Sequence, residues 1–73
     1  MTKYYVGYLQ GNNEYVYVAG IDTTNVRVST ISENAIGFEN KESATDLLNI
    51  VKLMVLNQDY KVLEIVKEIK EVK

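Results

Sequence analysis

The sequence predicts an α+β domain of order β-β-β-α-β, an antiparallel sheet of about four strands with one helix packed on one face. Three observations carry this. Up to Asn40 the apolar residues alternate with a period of two, interrupted by turns rich in Gly, Asn and Asp. From Lys41 to Leu56 they recur at spacings of three and four, and from Tyr60 the β-branched residues favour a strand again.

The first strand runs from Lys3 to Leu9, with Tyr4, Val6 and Tyr8 on one side and Tyr5, Gly7 and Leu9 on the other. Gln10-Gly11-Asn12-Asn13 follows, a tetrad whose Gly and Asn tolerate the positive φ of a tight reversal. The second strand, Glu14 to Ile21, sets Tyr15, Tyr17, Ala19 and Ile21 against Val16 and Val18, so the two form a hairpin. Gly20 and Asp22-Thr23-Thr24-Asn25 end it. Val26 to Ile31 reads as a third strand of a meander, with Val26, Val28 and Thr30 facing inward.

Ser32-Glu33-Asn34 is a polar interruption, and Ala35, Ile36 and Phe38 form an apolar entry in which Phe38 anchors the helix start. Asn40 suits the N-cap, where its side-chain oxygen accepts from a free amide of the first turn, and Glu42 complements the helix dipole. Ala44, Leu47, Leu48, Val51 and Val55 make the stripe that packs on the sheet. Ile50, Leu53, Met54 and Leu56 widen the apolar arc well past that stripe. Asn57 suits the C-terminal cap, and Gln58-Asp59 completes the turn. Tyr60 to Val66 alternates as a strand but also fits a helical seam through Val62, Ile65, Val66, Ile69 and Val72; its β-branched content favours the strand. Lys67 to Lys73 either extends it, frays or forms a helical turn.

Seventy-three residues make a single small domain near the size at which one core rarely supplies more than roughly 3–5 kcal/mol. With no Cys and no His, disulfide, structural zinc and thiol chemistry are out of consideration, and association is the remaining way to add stability. The arc Ile50, Leu53, Met54 and Leu56 would be a sticky patch on a monomer, so it predicts a homodimer that covers it. The alternative is that Phe38, Leu63, Ile65, Ile69 and Val72 fold over it. A net charge of −2 argues against broad nucleic-acid binding, which depends on many Lys and Arg contacts to phosphates. No run approaches the roughly 18 apolar residues of a membrane span, and Met1-Thr2-Lys3 opens without the features of a secretory signal, which predicts a cytoplasmic protein.

The segment Asn34 to Ala44, with its Ala-x-x-Phe step (Ala35, Phe38) and Lys-Glu-x-Ala helix start (Lys41, Glu42, Ala44), precedes a closing Tyr-x-Val strand (Tyr60, Val62). Together with a hairpin ending in Ala19-Gly20-Ile21-Asp22, this pattern resembles short uncharacterised phage and prophage proteins over most of the chain. The second half of the present helix is more apolar than theirs. The resemblance implies a phage accessory protein that works in a bacterial host cell. Many members of that class are non-enzymatic binders or inhibitors of host or defence proteins, and the pattern supplies no catalytic residues.

Six Tyr stand in the chain, five of them on the hairpin. Tyr4, Tyr8, Tyr15 and Tyr17, with Arg27, are the candidate partner-binding residues, because Tyr gives large contact area at low entropy cost. The bland reading of the tyrosines is cross-strand pairing, and a lone strand Arg is usually a solvated surface group. The same rings suggest an alternative function, single-strand nucleic-acid binding by stacking, for which basic residues on the face are scarce. A structural role in a larger assembly is a third reading. The acids Glu14, Asp22, Glu33, Glu39, Glu42, Asp46 and Asp59 lie mainly at turns and helix starts, with little room for a catalytic cleft. Asp22-Thr23-Thr24-Asn25 lacks the ligand series of a calcium loop. No catalytic, metal or cofactor residue is expected.

Overall fold

Both alternating stretches of the hairpin are strands in the computed structural model, which describes residues 2–66. β1 spans Thr2–Leu9 and β2 spans Tyr15–Ile21. They pair antiparallel with Gly7 opposite Tyr17, Tyr8 opposite Val16 and Leu9 opposite Tyr15. In the turn, Gln10 donates its amide to the Glu14 carbonyl at 2.8 Å and Asn13 donates to Gln10 at 3.0 Å. Asn13 takes the left-handed conformation at φ 63°, a region Asn enters at less cost than other side chains.

β3 covers Val26–Ser29, antiparallel to β2, and stops two residues short of the expected Ile31. The Ser29 hydroxyl accepts from the Ile31 amide at 3.1 Å, which turns the backbone out of the ladder into a 3₁₀ turn at Ser32–Asn34. The helix α1, Lys41–Met54, begins where expected, with Asn40 Oδ1 accepting from the Ser43 amide at 2.8 Å. It ends earlier than Leu56: Val55 is already extended and is the C-cap in place of Asn57. Val55 packs against the core there, and a β-branched residue loses little by leaving the helix. β4, Lys61–Val66, returns antiparallel to β1 and completes the strand order β3-β2-β1-β4.

The register assigns the faces. Even-numbered β1 residues share a face with Val16 and Val18, and α1 lies across β1 and β4 on that side. Val6, Val18, Val51 and Tyr60 form the buried cluster, with Tyr8, Ile21, Val26, Leu47, Leu48 and Val55 packed against it. A fully buried Val contributes about 1.5–3 kcal/mol, so three of them (Val6, Val18, Val51) make a small core in which each residue matters. Ile21 departs from the expected grouping with Tyr15 and Tyr17. A bulge between Val18 and Gly20 inserts one residue and resets the alternation, which brings Ile21 onto the core side opposite Val26. Val28 and Thr30, expected inward, are exposed at the sheet's edge.

Beyond the Gly7–Tyr17 pair, β1 and β2 separate into a fork, and the chain leading to α1 fills it. Tyr4 and Phe38 exchange main-chain bonds on the β1 arm, and Ile36 donates to the Val18 carbonyl at 3.0 Å on the β2 arm. Residues 36–38 thereby carry the backbone from the helix-free face to the helix face. Phe38 fixes the approach to α1 through its main chain.

Candidate functional site

The helix covers one side of the sheet only. On the other, strand parity collects Lys3, Tyr5 and Leu9 of β1, Tyr15 and Tyr17 of β2, Arg27 of β3, and Lys61, Leu63 and Ile65 of β4. Gly7 lies at the centre without a side chain. A Cβ there would meet the Val16 carbonyl oxygen and stand 2.9 Å from Leu63 Cδ1, so the glycine permits the close approach of β1 to β2. Tyr5 and Tyr17 meet edge to face, with centroids 5.5 Å apart and planes at 61°, a favoured aromatic geometry.

Exposure grades across this face. Tyr5 is 4% exposed, because the crossing segment lies over it and Gly37 sits on its ring. Tyr17, Leu63 and Ile65 are half-buried, while Tyr15 and Leu9 stand 45% and 50% exposed. A cleft of about 350 Å³ opens beside Tyr5 between Lys3, Ile65 and the Ser32–Ala35 turn, and a second of about 230 Å³ runs along Tyr15, Tyr17, Leu63 and Ile65. The result is an aromatic and aliphatic surface with relief, held on strands.

Its cations sit at the rim beside carboxylates. Arg27 Nε is 3.7 Å from Asp22 Oδ2, Lys61 Nζ is 3.4 Å from Asp59 Oδ2, and Lys3 shares the larger cleft with Glu33. Exposed pairs of this kind contribute about 0–1 kcal/mol to stability. Their effect here is on the field: among the described residues each rim cation has a carboxylate beside it, which leaves that part of the rim near neutral. Asp22 and Asn25 close a turn, with the Asp22 amide donating to the Asn25 carbonyl at 2.8 Å. Among the described residues no group of three or more Asp or Glu is placed to hold a metal ion.

Of the predicted partner residues, the sheet brings Tyr15, Tyr17 and Arg27 together on the open face and sets Tyr4 and Tyr8 on the helix side. Tyr8 packs edge to face on Tyr60, with centroids 5.1 Å apart. Burial, and then the neighbouring Tyr8 phenol, raise the Tyr60 pKa above its ordinary 10.0. Tyr4 lies between Glu64 and Phe38 and is half-buried. Sequence reasoning missed Tyr5, Leu9, Leu63 and Ile65 as members of the face. Their odd-numbered parity was the available signal, and it needed the Gly7–Tyr17 register to join it to Tyr15 and Tyr17.

The helix arc is a second apolar surface, on the opposite side. Leu53 and Leu56 are 83% and 88% exposed, Ile50 is half exposed and Met54 half-buried. Ile69 and Val72, the tail residues offered as its cover, lie outside the described residues. No helix among the described residues is long and apolar enough to cross a membrane.

No protein-family model matches this chain, no curated protein matches it in sequence, and no solved structure matches it in fold.

Proposed function

We propose that the chain is a non-enzymatic protein-binding module that docks a partner on the helix-free face of its sheet. The resemblance to phage accessory proteins makes that partner a bacterial host or defence protein and makes the module its modulator or inhibitor. One observation carries the reading: among the described residues nothing packs over this face beyond the segment that shields Tyr5, and Leu9 and Tyr15 stand about half exposed on it beside Tyr17, Leu63 and Ile65.

Covering such a surface gains roughly 25 cal/mol per Å² of apolar area removed from water. Strand-borne rings are already ordered, so a partner pays little entropy to fix them. The arrangement matches the plan of a standard interface, with an aromatic centre and a rim of polar pairs, Arg27 with Asp22 and Lys61 with Asp59. The near-neutral rim favours a protein over a nucleic acid.

The test is site-specific photo-crosslinking in bacterial lysate, with a benzoylphenylalanine at position 15 and, as control, at position 46 on the exposed side of α1. The reading expects one dominant adduct from position 15, suppressed by excess unlabelled wild-type chain and not by a Tyr17→Ser, Leu63→Ser variant. Equal adduct patterns from both positions, or a pattern that the double variant suppresses as well as wild type does, would refute docking on this face.

A further inference from the structure

The two edges of the sheet differ in how well they are protected. β3 is four residues long, adjoins the bulge in β2 and carries Arg27 paired to Asp22. Short length, irregular pairing and charge are the usual protections of an edge. β4 is six residues long, has neither Gly nor Pro, and pairs with β1 through six successive residues without a shift.

The bonding phase of β4 follows from Tyr4. Its amide and carbonyl are both engaged with Phe38, on the side of β1 away from β4. Antiparallel strands alternate bonded and non-bonded pairs, so Tyr4 opposite Glu64 is a non-bonded pair, and Lys61, Leu63 and Ile65 make the bonds to β1. The N–H and C=O groups of Val62, Glu64 and Val66 therefore point out of the sheet, and no described residue bonds them.

We propose that this edge pairs with itself: two copies of the chain join β4 to β4 antiparallel about a two-fold axis at Leu63, fusing two four-stranded sheets into one. The phase permits two symmetric registers that keep most of β4 opposed. Centring on Glu64 sets that carboxylate against its own copy, which is unfavourable for directly opposed like charges. Centring on Leu63 places Leu63 against Leu63 of the second copy, Val62 against Glu64 and Lys61 against Ile65, with no like-charge pair. The two outward-bonding residues Val62 and Glu64 then exchange main-chain bonds across the axis. The contact is isologous and closes at two copies, and it sets the two open faces side by side on one surface. It is independent of what the open face binds.

Two measurements test it. Light scattering across a dilution series expects the wild-type mass to rise toward twice the monomer's 8.3 kDa. Val62→Glu sets a carboxylate against Glu64 of the second copy twice per dimer and weakens association by roughly tenfold or more. Adding Glu64→Lys restores it, and Leu53→Glu on the helix arc leaves it unchanged. Amide exchange on the wild type needs no substitution: Val62 and Glu64 slow as concentration rises, while Leu63 and Ile65 are protected throughout. A wild-type monomer at every concentration overturns the proposal, as does a dimer lost in Leu53→Glu, or one in which Val62 and Glu64 exchange freely.

Discussion

The Tyr4 amide donates to the Phe38 carbonyl at 2.8 Å, and the Phe38 amide returns a bond of 2.8 Å to Tyr4. With the Ile36 bond to Val18, this lets one short segment supply partners to both arms of the β1–β2 fork, whose ladder groups would otherwise be buried without them. The same three residues shield Tyr5 on one face and deliver the chain to α1 on the other. Gly37, in the middle, lies close over that ring: a Cβ would stand 3.1 Å from Tyr5 Cε1 and Cζ, so the ring would have to give by a few tenths of an ångström and a branched side chain would press on it harder. Gly37→Val is expected to cost about 1–3 kcal/mol in urea unfolding. Gly11→Ala, in open space on the hairpin turn, is expected to stay within about 0.5 kcal/mol of wild type. Equal midpoints for the two variants would mean that the crossing segment does not hold Tyr5.

What was legible in the sequence was whatever depends on local chemistry alone. The two-residue alternation located β1 and β2, Asn40 marked the start of α1, and the stripe through Ala44, Leu47, Leu48, Val51 and Val55 is the helix face that packs on the core. What depends on register was not legible. The bulge after Val18 moved Ile21 across the sheet; its local signal is Gly20, a residue that often marks a bulge inside a strand but reads in the sequence as the strand's end. The division of the tyrosines into Tyr4 and Tyr8 on one side and Tyr5, Tyr15 and Tyr17 on the other is likewise a property of the pairing. The crossing at Ile36–Phe38 is a long-range contact with no sequence signature of its own.

The N-cap allows a narrow test of how much α1 depends on its first turn. Asn40 satisfies one of the free amides at the helix start through a 2.8 Å bond to Ser43. Asn40→Ala should lower stability by about 0.5–2 kcal/mol, and Asn40→Ser by much less, since Ser is nearly as good a cap. Denaturant midpoints that rank Ala and Ser alike would show that the cap bond contributes nothing measurable.

Tyr60 ties the fold to alkaline pH. Its folded pKa is raised above 10.0, first by burial and then by Tyr8, so the folded state holds the phenol's proton more tightly than the unfolded chain does. The sign follows: the contribution is fully present below pH 10.0 and is lost as pH rises from there through the folded pKa. Tyr60→Phe removes the titrating hydroxyl and keeps the ring against Tyr8. The melting temperature of wild type is expected to fall more steeply above that pH than that of the Phe variant, and parallel curves would count against a buried phenol at this position.

Tyr5 and Tyr15 occupy the same face and should respond in opposite ways to the same substitution. Tyr5 is 4% exposed, packs on Tyr17 and lies under Gly37, so Tyr5→Ser removes core volume and should cost about 3–5 kcal/mol. A domain of this size has roughly 3–5 kcal/mol in total, so that variant should be largely unfolded by circular dichroism. Tyr15 is 45% exposed at the end of the hairpin, and Tyr15→Ser should cost no more than about 1 kcal/mol. If the open face is the docking surface, the stable Tyr15→Ser chain should nonetheless fail to compete with wild type for the crosslinked adduct. Should it compete as well as wild type while remaining folded, Tyr15 makes no contribution to binding and the docking surface lies elsewhere, with the helix arc at Leu53 and Leu56 next in exposure.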